Sequence, residues 1–113
     1  MSDQAADNQS FPGPLAGAVE YQADSIVSKI LGKTSGGSAT LFAFAEGQEL
    51  SEHTAPFDAL IYLVEGEARI SVGQASATAT AGDLVRLPAN VPHAVAAVTA
   101  FKMLLIMLRE KDQ

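Results

Sequence analysis

Gly82-Asp83-Leu84-Val85-Arg86-Leu87-Pro88-Ala89-Asn90-Val91-Pro92-His93 is the stretch that decides the architecture. It opens on Ala81-Gly82-Asp83, a glycine turn of the kind that closes a hairpin, and continues into a short β-rich run, Leu84–Leu87. Val85 and Leu87 suit an interior, which places Arg86 on the outer face. Pro88 and Pro92 lack backbone donors, so the segment between them cannot run through a central strand. It reads as a rigid loop that delivers His93 to the start of the next strand. The order is strand, stiff loop, strand, with an imidazole at the joint.

The same punctuation continues toward both ends. Glycine or proline recurs at Gly32, Gly36-Gly37, Gly47, Pro56, Gly66 and Gly73. The runs between these marks are shorter than the usual helix of about 10–14 residues. Strands are expected over Ser25–Leu31, Ala39–Ala45, Ala59–Val64, Ala68–Val72, Ala75–Ala81, Leu84–Leu87 and Phe101–Leu108. Many short strands separated by turn residues predict an all-β sandwich or barrel. Gly66, in Glu65-Gly66-Glu67, supplies a turn or bulge, and Val72-Gly73-Gln74 closes a hairpin.

Two of these strands are apolar on both faces. Phe101–Leu108 is interrupted only by Lys102, and Ala59–Val64 has no charge at all. One face lines the interior, with Met103 and Met107 on the same side as core filling. The other needs cover, which an N-terminal strand would supply, with a homodimer contact over what stays exposed. Tyr62 is expected on that outer face. Met1–Ser10 is polar and reads as a mobile tail ahead of a single domain over residues 11–113.

Composition narrows the function classes. A chain of 113 residues suits one domain and can bury about 65% of its surface. Seven Lys and Arg against 13 Asp and Glu give a formal charge of −6, which repels phosphate backbones and argues against a nucleic-acid partner. The acidic residues Glu46, Glu49 and Glu52 read as a solvated edge. With no cysteine, disulfides, thiolate metal sites and cysteine nucleophiles are excluded. No signal peptide and no apolar run near the roughly 20 residues of a membrane helix is evident, so no membrane partner and a cytoplasmic location are expected.

Gly47-Gln48-Glu49-Leu50-Ser51-Glu52-His53, with Ala59-Leu60-Ile61-Tyr62-Leu63-Val64-Glu65-Gly66-Glu67, resembles the first motif of the cupins. The stretch from Gly82 to His93 resembles the second. The motifs cover residues 47–67 and 82–93, and the resemblance extends from about Leu41 to Leu108. It implies a double-stranded β-helix, a small jelly-roll barrel with a ligand cavity at one end. It also implies metal positions: His53 falls on the first histidine and His93 on the second-motif histidine. The second histidine position is Ala55 and the glutamate position is Ala59, both methyl groups.

That leaves two ligands, whereas a catalytic zinc has three protein ligands and an open iron site has two histidines and a carboxylate. Asp58 is the candidate for the third, provided a bulge near Pro56 turns it inward against the strand's alternation. Glu52, beside His53, is a weaker candidate. The leading expectation is a small-molecule binding protein whose mostly apolar cavity holds His53, His93 and Asp58. The alternative is a metal-dependent dioxygenase, isomerase or decarboxylase acting on a small organic acid or ketone. There His53, His93 and Asp58 would hold iron, manganese, nickel or zinc. A metal-free enzyme using a histidine as acid or base ranks below both.

Overall fold

The computed structural model describes residues 13–109, so the expected mobile tail at Met1–Ser10 lies outside the described residues. A 3₁₀ turn at Leu15–Ala18 precedes nine described strands. They are β1 (Ile26–Thr34), β2 (Gly37–Phe44), β3 (Glu49–His53), β4 (Asp58–Glu65), β5 (Glu67–Val72), β6 (Ala75–Thr80), β7 (Leu84–Leu87), β8 (His93–Ala97) and β9 (Phe101–Leu108). They form a five-stranded sheet, β1-β2-β9-β4-β7, and a four-stranded sheet, β3-β8-β5-β6. Every pairing is antiparallel. The fold is all-β, as the turn spacing requires.

Alternation along the strands fixes which side chains meet. Phe44, Ala59, Ile61, Leu63, Phe101 and Met103 from the larger sheet face Ala68, Ile70, Ala79, Val95 and Ala97 from the smaller one, and all are buried. Phe44 and Phe101 are cross-strand partners and stack with ring centroids 4.5 Å apart. Met107 packs against this core, on the same face as Met103.

Three local expectations are corrected. Gly32 does not end β1; a register shift between Ile30 and Gly32 lets the strand run on to Thr34. The polar segment Glu49–His53 is itself a strand, paired with β8. Ala81-Gly82-Asp83 is no hairpin, because β6 and β7 belong to different sheets. It is a corner, held by Gly82 N–H donating to Leu63 O at 2.8 Å and Leu63 N–H donating to Asp83 O at 3.0 Å.

The outer face of the larger sheet is covered at one end only. The cover is a 3₁₀ turn rather than a strand: Leu15, Ala18 and Val19 pack on Leu41, Ala43, Val27 and Leu104. Lys102 secures it. Its buried Nζ donates to Ala16 O at 2.6 Å, stands 3.8 Å from Glu65 and lies 4.8 Å from the Tyr21 ring centroid. Tyr21 Oη donates to Glu65 Oε2 at 2.6 Å, and burial, then Glu65, raises the phenol well above its ordinary pKa. A buried ammonium is tolerated only with such partners.

Gly66 makes the turn from one sheet to the other, at φ +84°. A Cβ there would collide with the Ala100 carbonyl and come within 2.7 Å of Phe101 Cα. Gly47 has a similar φ of +85° but open space around it. Gly66→Ala should therefore cost about 3 kcal/mol or more, conformational strain plus steric clash. Gly47→Ala should cost about 1 kcal/mol of strain alone. Urea unfolding of the two variants measures the difference, and equal losses would contradict it.

Candidate functional site

Two stiff connections converge at one end of the barrel. The Pro88–Pro92 loop is stapled on three sides: Ala89 N–H donates to Asp58 Oδ1 at 2.8 Å, Asn90 N–H to Ala55 O at 2.7 Å, and Gly73 N–H to Pro92 O at 2.8 Å. Asn90 adopts a left-handed φ of +64°, which asparagine tolerates better than most residues. The loop ends at His93, the first residue of β8, and His53, the last residue of β3, is its cross-strand partner.

The two imidazoles meet. Their ring centroids are 4.4 Å apart at 67°, edge to face. His93 pairs with Val72 and alternates in phase with buried Val95, so both rings project from the inner face. His93 is buried, while His53 is exposed at the rim.

Their hydrogen bonds fix the tautomers. His53 Nδ1 lies 2.8 Å from Ser51 O, and His93 Nδ1 lies 3.2 Å from Val91 O. A carbonyl oxygen only accepts, so each Nδ1 carries the hydrogen. In the neutral rings both Nε2 atoms then keep a lone pair for a donor or a cation. Behind the pair, Leu50, Val72, Val85, Leu105 and Met107 pack half-buried against the core and keep the interior apolar.

Asp58 does not join them. No bulge shifts the start of β4: Asp58 pairs with Leu108 and Ala59 with Met107, so Ala59 points inward and Asp58 outward. Oδ1 of Asp58 takes the Ala89 N–H, and Oδ2 lies 3.6 Å from Arg86 on the same outer face. Arg86 and Tyr62 face outward as expected, Tyr62 with 40% exposure. Glu52 lines a groove with Glu49 and Arg69 on the other side of the small sheet.

The fit to a metal follows from this donor set. Among the described residues no three His, Asp or Glu side chains come together as a cation site. Two imidazoles fall one short of a catalytic zinc or iron set. These residues do not fit a resident catalytic metal. Val72 is the neighbour that the sequence reading missed, since its place beside His93 depends on the β5–β8 register.

The geometry can be set beside known proteins. A family profile described as "Cupin domain" matches residues 40–108. Among solved structures, a cupin superfamily protein from Desulfitobacterium hafniense is 32% identical at TM-score 0.83, over 86% of this chain and 89% of that one. A cupin 2 conserved barrel domain protein from Leptotrichia buccalis is 41% identical at TM-score 0.80, over 84% of this chain but 46% of that one. A conserved protein of unknown function from Streptococcus pyogenes is 32% identical at TM-score 0.75, over 79% of this chain and 78% of that one. No curated protein matches the chain significantly.

Proposed function

The chain belongs to the cupin family, and from that premise we propose that it is a small-molecule binding protein whose ligand enters beside His53 and His93. The observation that carries this reading is the pair of Nε2 lone pairs projecting from the inner face of the smaller sheet, with no carboxylate among the described residues completing a cation site with them. Such a site suits a mostly apolar molecule with an O–H or N–H donor. Apolar contact contributes about 25 cal/mol per Å² buried, and a hydrogen bond to an imidazole adds about 1 kcal/mol net. The histidines orient the ligand and the cavity supplies most of the affinity.

The protein should purify with substoichiometric metal, and small apolar alcohols or amides should raise its melting temperature. His53→Ala, at the exposed rim, should reduce that rise, weakening binding by about fivefold, while leaving the unliganded melt close to wild type. About one iron, manganese, nickel or zinc per chain, lost in His53→Ala, would overturn this reading in favour of the metal-dependent enzyme.

We also propose a homodimer through the outer face of the larger sheet. Leu60 and Ile106 are cross-strand partners there, as are Tyr62 and Leu84, and the 3₁₀ turn leaves this end uncovered. Leu84 is 66% exposed and Leu108 49%. A second copy related by a two-fold axis would bury both. Sedimentation should show a dimer that Leu84→Asp shifts to monomer; a monomeric wild type at high micromolar concentration would contradict it.

A further inference from the structure

At the Gly82 corner the two sheets part. β6 is one edge of the smaller sheet and β7 one edge of the larger, and they leave the corner without sharing a ladder. Between them is a slot of about 210 Å³, lined by Val72, Ala75, Ala77, Ala79 and Val85 among others, with Ser76 its one hydroxyl. For comparison, an apolar cavity of about 150 Å³ accommodates benzene. The slot is open because alternate residues of β6 carry only methyl groups toward the interior. Ala75 and Ala77 remain exposed although they are on the core-facing side.

Register connects this slot to the histidines. His53 pairs with His93, His93 with Val72, and Val72 with Ala75, so the four form one transverse row across the inner face of the smaller sheet. Neighbouring strands are about 4.8 Å apart, which puts Ala75 roughly 10 Å from His93. A ring in the slot and a donor at His93 are therefore joined by a tether of a few atoms.

We propose that the slot between β6 and β7 is the apolar half of the ligand site and takes the ring of a monocyclic aryl compound whose tethered hydroxyl or amide donates to Nε2 of His93 or His53. This rests on the binding role proposed above and adds the ligand class. The methyl-lined slot selects for the flat apolar end, and the imidazole pair selects for a donor at fixed reach. No bond is made or broken.

The test is titration of the full chain with 3-phenyl-1-propanol and with 1-propanol, followed by ¹H–¹⁵N shifts. Wild type should bind the aryl alcohol about tenfold or more tightly than 1-propanol, with shifts at Val72, Ala75, Ala77 and His93. Ala77→Leu and Ala75→Leu fill the slot at exposed positions, so they should fold normally and each weaken the aryl alcohol about tenfold. Two leucine variants that melt and bind like wild type, while His53→Ala with His93→Phe, which removes both acceptors, weakens binding, would overturn the slot and leave the histidine reading standing. The reverse pattern would overturn the donor assignment and with it the proposed function. Absence of aryl-alcohol shifts along the slot in wild type would overturn the slot directly.

Discussion

The structure depends on a register. β8 sits between β3 and β5, and its first residue is held in place by a loop whose backbone N–H groups are taken up by Asp58 and Ala55, while its Pro92 carbonyl accepts from Gly73. Two prolines remove the alternatives open to that loop, and one left-handed asparagine completes its turn. A slip of one residue would send His93 to the opposite face and leave Val95 and Ala97 exposed. Burial of those two side chains therefore opposes the slip and keeps the imidazoles together. Core packing and site geometry are set by the same hydrogen bonds.

Asp58 braces that loop from the outer face of the larger sheet. In its outward position the carboxylate supports the loop instead of joining the site, taking the Ala89 N–H and lying near Arg86. Ala59 occupies the inward position, where a methyl group adds to the apolar wall. The proposed site is thereby suited to recognition by shape and one or two hydrogen bonds.

Much of this was legible in the residues. Leu84–Leu87 and Phe101–Leu108 are strands with the expected bounds, the first because Gly82-Asp83 and Pro88 flank it, the second because its apolar run stops at Arg109. The meeting of the two histidines followed from motif spacing. Other features needed the third dimension. Glu49–His53 is a strand with scarcely an apolar side chain, so no alternation marks it; its pairing with β8 does. The Gly82 turn looks like a hairpin locally, and only the sheet membership of β6 and β7 reveals a corner. Nor could the orientation of Asp58 be read locally, since an upstream proline permits a bulge without requiring one. The alanines of β6 carry no local mark of the gap beside them, which arises only from how the two sheets are placed.

The outer face repeats the same economy at a different site. Lys102 interrupts an apolar strand, yet its ammonium ties down the 3₁₀ turn through Ala16, Glu65 and Tyr21. One end of the sheet is thereby closed within the chain and the other end stays open. The proposed site depends on the two rings being neighbours inside the barrel. Because the chain has only two histidines, their ring protons can be assigned without ambiguity. A nuclear Overhauser spectrum of the unliganded protein should show a strong cross-peak between the rings of His53 and His93, as a centroid separation of 4.4 Å requires. Rings that show contacts only to their sequence neighbours would contradict the account.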